Sequence, residues 1–347
     1  MNQLNYKKNQ PLSLDEKINF FMEFYSYIKS SIPMTTCLTK IANSAQSHTV
    51  RQTASSILQL LDRKENFSTA ILKFENTLGG AYCNLLATGS ETGELPKITL
   101  DILNTLKKQR TTKRNIIKAG IYPAILLCLV FVFSMILILL IAPKVTTQAE
   151  LMTDNLLLVL KILKFINKCI THGWFIIIIA LFILLPQIIK FFKTVWQREY
   201  IIKLPVIGNV VKTYNISLFL KLFAMSYGAG IPAISAYLLA SKSVSNNYIK
   251  NELLLCSPIL EKQSISKTFE ASGIFTPQII SNVEAGEMSG NIDEILKEIS
   301  NDMDEHLDTV LSSALQALEP VLIIIAAVFI LIFGYIIMGP ANPFNYI

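Results

Sequence analysis

The chain has 347 residues, of which 52% are hydrophobic and only 16% are charged. This composition is too apolar for an ordinary soluble protein and indicates membrane-embedded segments. The net charge is +6, but the densest basic run, at 107–118, lies directly before an apolar segment. A cytoplasmic membrane flank explains such a run better than nucleic-acid binding does.

Residues 1–120 are predicted to form a first cytoplasmic helical domain. Apolar residues recur at helical spacing in short runs, of which the first ends before Pro33 and the next cover 34–46, 49–62 and 67–74. Alternating strand patterns bounded by tight turns are absent, so we expect an all-α fold. The first fifteen residues are polar, which predicts no secretion signal there and a cytoplasmic N-terminus.

A first transmembrane helix is predicted at 121–142, within the uncharged run from Ala119 to Pro143. At about 1.5 Å per residue such a helix crosses a hydrocarbon core of about 30 Å. Residues 143–172 then form a periplasmic connection with an interfacial helix, one face of which carries three lysines. These lysines run against the positive-inside pattern, and counting 155–171 as a further span would give four spans instead of three.

A second transmembrane helix is predicted at 173–192, and the lysines and arginine that follow it return the chain to the cytoplasm. Residues 193–319 form a second cytoplasmic helical domain, and 320–339 form a third transmembrane helix. The tail at 340–347 is then periplasmic. We therefore expect an all-α, multi-pass membrane protein with two homologous cytoplasmic helical-bundle domains and three transmembrane helices.

The second cytoplasmic domain contains the sequence Gly286-Glu287-Met288-Ser289-Gly290. Two glycines four residues apart predict a break in the preceding helix, and Asp293 and Glu294 suit the first turn of the next one. Apolar residues then recur every three or four positions until Glu319 and Pro320. A cytoplasmic helix is therefore predicted to run directly into the third span, with Glu319 and Pro320 at the membrane boundary.

The acidic residues of this segment allow more than one interpretation. Glu287 and the carboxylates of 293–308 form a docking surface for a basic partner or a cation site, or they are the solvated face of a long helix, which is the commoner case. Glu319 is either the polar boundary of its span or the partner of a basic residue in 107–118. A charge deep in lipid would cost about 3 kcal/mol, which favours both of these roles over burial.

The sequence repeats itself with an offset of 197 to 199 residues. Prolines and glycines that bound the predicted helices recur in the same order in both halves. The matching pairs are Pro33 and Pro232, Gly89 and Gly286, Gly93 and Gly290, Pro123 and Pro320, and Pro143 and Pro340. We infer a duplicated unit in which a helical domain precedes a transmembrane helix, with the span at 173–192 joining the two copies.

The motifs of common enzyme classes are missing from the sequence. No GxxxxGK[ST] loop is present for an ATPase, Gly228-x-Gly230 lacks the third glycine of a dinucleotide site, and the three histidines lack metal-ligand spacing. The apolar interiors of the predicted spans carry no charged residue, since Lys190 lies at the cytoplasmic end of the second, and this argues against a membrane transporter or permease subunit, the main alternative function. We therefore predict no catalytic residue, no cofactor and no metal.

Five motifs stand at consistent places on this duplicated scaffold. They are Gly286-Glu287-x-Ser289-Gly290, Glu319-Pro320, Tyr122-Pro123, Leu204-Pro205-x-Ile207-Gly208 and Gly228-x-Gly230-Ile231-Pro232. With them, nearly the whole chain resembles the inner-membrane platform family of type IV pilus assembly and type II secretion (GspF/PilC type), and its length suits the type IVb pilus branch. The first repeat departs from the pattern, because Gly89-Ser90-Glu91-Thr92-Gly93 carries its carboxylate one position later.

The resemblance implies a non-enzymatic platform in the bacterial inner membrane. The implied partners are a cytoplasmic pilus-assembly or secretion ATPase, the transmembrane helices of pilins or pseudopilins, other inner-membrane assembly proteins and further copies of the chain, with no nucleic acid. The candidate residues have structural or interaction roles. They are Gly286, Glu287, Gly290, Gly89, Gly93, Glu319, Pro320 and Pro123.

The predicted topology can be tested with a reporter that fluoresces only in the cytoplasm. Fused after Ile347, it should stay dark, because three spans from a cytoplasmic N-terminus end outside. The same reporter inserted after Arg198, between the second span and the second domain, should fluoresce and serves as the control. Fluorescence after Ile347 would contradict three spans and favour four.

Overall fold

The computed structural model describes residues 10–146, 202 and 205–317, together with a few positions between 320 and 331. The chain divides into two compact units. The first comprises Met1–Arg114 and Gln197–Val310, and the second comprises Asn115–Trp196 and Leu311–Ile347. Every extended regular element among the described residues is an α-helix, which confirms the all-α prediction for that part of the chain.

The first half of the sequence forms a series of helices whose boundaries follow from local chemistry. The helix α1 starts with a capping box, in which the Glu16 carboxylate accepts a hydrogen bond of 2.8 Å from the Ser13 backbone N–H. The helix α2 starts directly after Pro33. The series consists of α1 (Leu14–Lys29), α2 (Met34–Ser44), α3 (His48–Asp62), α4 (Phe67–Leu72), α5 (Glu75–Leu78), α6 (Gly80–Thr92) and α7 (Leu95–Thr146).

The second half forms a matching series, and α5 is the one helix of the first series without a described counterpart. Pro33 before α2 and Pro232 before α9 have nearly the same φ, −53° and −52°. The series consists of α8 (Pro205–Gly228), α9 (Ala233–Ser243), α10 (Asn247–Leu260), α11 (Ile265–Ser272), α12 (Pro277–Ser289) and α13 (Ile292–Gln316). Up to Arg114 and Val310, both series lie in the first compact unit. The domain boundaries at 120, 193 and 319 stay predictions.

Aromatic side chains fill the centre of each series. In the first series, the rings of Phe20, Phe24 and Phe67 stack in sequence at centroid distances of 5.7 and 5.9 Å. In the second series, Phe219 is fully buried, and its ring lies 5.2 Å from Tyr237 and 5.7 Å from Phe275. Rings at these distances add to the stability that comes from their buried area.

The predicted spans are described only in part. The backbone of 121–142 is helical as part of α7, whereas 173–192 and most of 320–339 lie outside the described residues. Within the described part of the chain, no helix was found to be long and apolar enough to cross a membrane. The three transmembrane helices, the connection at 143–172 and the tail at 340–347 stay predictions.

Phe219 allows a test of the aromatic core. Replacing it with Ala should lower the free energy of unfolding by about 3–5 kcal/mol, because a cavity would remain among four other rings. Thermal unfolding of the full chain in detergent measures the change. Tyr248→Ala is the control, since 37% of the surface of that side chain is exposed. Equal midpoints for the two variants would contradict the central role of Phe219.

Candidate functional site

The turn between α12 and α13 contains Gly290, the second glycine of the predicted pair in the second repeat. Gly290 ends α12 in the left-handed conformation, with φ 76° and ψ 5°. A residue with a Cβ is strained there, and glycine is not. The helix α13 then begins two residues later, at Ile292. Gly290 therefore stops one helix so that the next can start in a new direction.

Gly286 has a different role, since it lies inside α12 and is buried. A Cβ at this position would come within 3.1 Å of Ile295 Cβ and within 3.2 Å of Ile292 Cδ1. Such distances are shorter than ordinary packing contacts, so a side chain here would force α12 and α13 apart. The missing side chain of Gly286 therefore lets the two helices approach closely.

The first repeat uses its glycines in the same two ways. Gly93 ends α6 with φ 79°, and a Cβ on Gly89 would lie 2.8 Å from Ile98 Cδ1 and 3.3 Å from Leu95 Cα. The prediction that both glycines of a pair break a helix is therefore wrong for Gly89 and Gly286. Only the second glycine of each pair ends its helix. The first lies inside the helix and packs closely against the next one, a contact that the local sequence does not reveal.

The Glu287 carboxylate binds the N-terminus of α11. Its Oε1 accepts a hydrogen bond of 2.5 Å from Ile265 N–H, and its Oε2 accepts bonds of 3.3 Å from Ser266 N–H and 2.5 Å from Ser266 Oγ. The first N–H groups of a helix have no partner within the helix, and they attract negative charge. Ser264 Oγ completes the cap by accepting a hydrogen bond from Lys267 N–H. Glu287 therefore ties α12 to α11.

The first repeat lacks this carboxylate cap. At the offset of 197 residues, Glu287 corresponds to Ser90 (287 − 197 = 90), while Glu91 is exposed. The N-cap residue of α4 is Asn66, and its side chain makes no capping hydrogen bond. The two turns thus share their glycines and differ in the side chain between them.

Ion pairs connect α13 to α8 of its own series and to α7 of the other series, within the first compact unit. Asp304 on α13 binds Lys221 Nζ at 2.5 Å and accepts a hydrogen bond of 2.6 Å from Ser217 Oγ, both on α8. Asp308 on α13 binds Lys108 Nζ on α7 at 2.8 Å. The pair with Lys221 is the more shielded from water, since its side chains are 21% and 14% exposed. It therefore contributes more than a typical surface pair.

Asp304 and Asp308 correct part of the interpretation of 293–308 as a solvated acidic face. These two carboxylates face lysines of other helices. Their spacing in the sequence indicates a side of the helix that faces other elements, since Asp304 and Asp308 share it with Leu307 and Leu311. The other five carboxylates of this segment are exposed, which agrees with the solvated interpretation. They are Asp293, Glu294, Glu298, Asp302 and Glu305.

The remaining candidate residues lie at the predicted membrane boundaries. Pro123 is within the helical backbone of α7, and Pro320 is helical and exposed. The placement of the Pro123 side chain and of the whole of Glu319 lies outside the described residues. A pairing of Glu319 with 107–118 therefore stays a prediction.

The described side chains offer little reactive chemistry. No group of three or more His, Cys, Asp or Glu residues in the described ranges could hold a metal ion. Cys37, Cys83 and Cys256 are buried and free. Burial raises the pKa of Cys37 and Cys83 to about 12, which keeps both as neutral thiols and poor nucleophiles.

The role of Glu287 can be tested by replacing it with Gln, which removes charge and keeps shape. The variant should lower the free energy of unfolding by about 1–2 kcal/mol, because one amide oxygen replaces a charged, two-oxygen acceptor. Glu284→Gln is the matched control, one turn earlier on α12 and exposed. Thermal unfolding of the full chain measures both, and equal midpoints for Glu287→Gln and wild type would contradict the capping role.

A comparison with known protein families finds the same duplication as the two helix series. The family model described as "Type II secretion system (T2SS), protein F" matches the chain twice, at residues 20–143 and 219–340. The two matches start 199 residues apart (219 − 20) and end 197 apart (340 − 143). These offsets are the ones found between the repeated glycines and prolines.

Three relatives show the range of names that similar proteins carry. The type IV pilus assembly protein TapC of Aeromonas hydrophila is 21% identical over 87% of this chain and 75% of its own length. The type II secretion system protein F of Vibrio cholerae is 20% identical, over 91% and 78%. The type IV pilus assembly protein PilC of Pseudomonas aeruginosa is 20% identical, over 93% and 87%. The family named by resemblance is confirmed.

Because the family model matches more than half of the 347 residues, in two blocks that each overlap one helix series, the chain belongs to the family of type II secretion system protein F.

Proposed function

We propose that this chain is a non-enzymatic platform of the bacterial inner membrane, in a machine that assembles a type IV pilus or drives type II secretion. The observation that carries the proposal is the double family match, at residues 20–143 and 219–340. The names of the relatives, from both pilus assembly and type II secretion, support the same role.

The proposed platform receives movement from a cytoplasmic ATPase and passes it to pilin or pseudopilin helices. The helix α7 suits this task, since its 52 residues extend about 78 Å at 1.5 Å per residue. The ion pairs of Lys108 and Lys221 with α13 hold α7, α8 and α13 together at the cytoplasmic end of this path. A push on one of these helices would therefore move the others.

The exposed carboxylates of α13 are the proposed docking surface for the ATPase. Glu294, Glu298, Asp302 and Glu305 recur at three- and four-residue spacing, so they share one side of the helix. An acidic surface of this kind favours a basic partner segment, and long-range attraction would speed its association. The counterpart positions of Glu294 and Glu305 in the first repeat are Lys97 and Lys108, and that of Asp302 is Thr105. Only Glu298 has an acidic counterpart, Asp101, so the first repeat has no such acidic row.

A second exposed stripe, in the other compact unit, is the proposed contact for pilin helices. Ile117, Ile121, Ile125 and Leu129 follow one another every four residues on α7, and each is at least half exposed. A four-residue spacing places them in one row along the helix. Such a row can pack against another apolar helix within a membrane.

Co-purification tests the docking of the ATPase. The secretion or pilus-assembly ATPase of the same organism should be retained by the full chain from detergent-solubilised membranes, and less so as salt rises. Neutralising Glu294, Glu298 and Asp302 together (to Gln, Gln and Asn) should weaken the association roughly tenfold, since each exposed charge contributes up to about 1 kcal/mol.

A matched control neutralises three other exposed carboxylates, and it should leave the association unchanged. These are Glu91, Glu94 and Glu270. Equal binding of wild type and the α13 variant would show that the docking surface is wrong. A wild-type chain that retains no ATPase would contradict the coupling role itself.

A further inference from the structure

A cavity of about 680 Å³, partly open to solvent, lies in the first compact unit between the two helix series. Its walls come from α1, α6 and α7 of the first series and from α8 and α9 of the second. This volume falls within the range of roughly 300–1,000 Å³ that is usual for sites of small organic ligands. Both repeats therefore contribute to its lining.

Lys17 on α1 is a half-buried cation that lines this cavity. Within the part of the chain that the structure describes, its ammonium forms no hydrogen bond or ion pair, and it lies 5.9 Å from the centroid of the Tyr82 ring. Burial lowers the pKa of Lys17, as expected for an ammonium without a carboxylate partner. A half-buried lysine in this condition lacks the anion that normally accompanies it.

Two tyrosine hydroxyls line the same space. Tyr82 is only 8% exposed, and its Oη accepts a hydrogen bond of 3.2 Å from Gln109 Nε2. Tyr214 on α8 is half-buried, and no protein acceptor within the described ranges binds its hydroxyl. Burial raises the pKa of both phenols, so each remains a neutral group that can donate its proton to a hydrogen bond.

The rest of the lining combines one further cation with an apolar wall. Lys242 stands on α9, and Leu218, Leu222 and Leu238 supply apolar surface. Glu75 also lines the cavity, but its carboxylate already accepts a hydrogen bond of 3.0 Å from Asn84 Nδ2. Two lysines and one carboxylate therefore give the lining a net positive charge, which favours an anionic ligand.

The counterpart positions in the second repeat show that core packing does not require these polar groups. At the offsets of 199 and 197 residues, Lys17 corresponds to Ile216 and Tyr82 corresponds to Ile279. Both isoleucines are buried, at 5% and 6% exposure. The same backbone positions thus hold core aliphatic residues in one half and cavity-lining donors in the other.

We propose that this cavity binds a small organic anion, in which a phosphate or carboxylate group is attached to an apolar body. The anionic group is held by Lys17 together with the hydroxyls of Tyr82 and Tyr214, and the apolar body lies against the leucines of α8 and α9. The site is separate from the platform role, because neither the docking surface of α13 nor the stripe on α7 contributes to it.

Phenyl phosphate is a suitable probe, since it joins a phosphate to an aromatic ring. When bound, it should protect the Lys17 amine from formaldehyde, which condenses with a free amine and releases water, after which cyanoborohydride reduces the imine to a stable methylated amine. Peptide mapping of the full chain in detergent measures the methylation of Lys17 and of Lys262, an exposed lysine without an ion pair among the described residues. Phenol, which lacks the phosphate, is the control for binding of the ring alone.

Saturating phenyl phosphate should slow the methylation of Lys17 roughly tenfold and leave that of Lys262 unchanged, because an ammonium that holds an anion does not react as a free amine. Tyr214→Phe should raise the concentration needed for half protection, and an unchanged thermal midpoint would show that the fold is intact. Benzoate in place of phenyl phosphate shows which anionic group the site prefers. Equal methylation of Lys17 with and without either anion, or equal protection of the two lysines, would overturn the proposal.

Discussion

The close approach of α6 to α7 and of α12 to α13 is the constraint on which the rest of the first compact unit depends. Gly89 and Gly286 leave no side chain between the paired helices, so isoleucines of the next helix contact the glycine backbone. Each pair then turns through a left-handed glycine. The start and direction of the long helices are set at these turns, and the reach of Lys108 to Asp308 follows from them.

The duplication separates what the backbone must keep from what side chains can change. Both repeats keep the two glycine roles and the proline before the second helix. They differ where a side chain binds something beyond its own turn, as at Ser90 and Glu287. A helix turn constrains its own few residues, whereas a cap or a cavity depends on elements elsewhere in the fold. Such side chains differ between the repeats although the turn itself is kept.

Local patterns predicted the helices well and their contacts poorly. The stop before Pro33 and the all-α class follow from proline geometry and from periodicity, which act within a few residues. The Glu287 carboxylate instead binds an N–H group 22 residues earlier, and Lys108 meets an aspartate 200 residues away. A single sequence shows which residues of such pairs are charged, but it does not show which of them lie close together in the fold. For the same reason, the position of Gly286 inside a helix became clear only from Ile295 on the facing one.

Gly93 and Gly290 also carry a consequence for chirality. Their positive φ lies in the region that mirror-image amino acids prefer. No atom outside the local chain lies within 4 Å of where an L-residue would place its Cβ, so the obstacle to a side chain there is handedness and not space. Other encoded residues adopt this conformation only at a cost of roughly 1–2 kcal/mol, as Ser31 and Lys64 do elsewhere in the chain. Both turns therefore depend on glycine, the one encoded residue whose Cα is achiral.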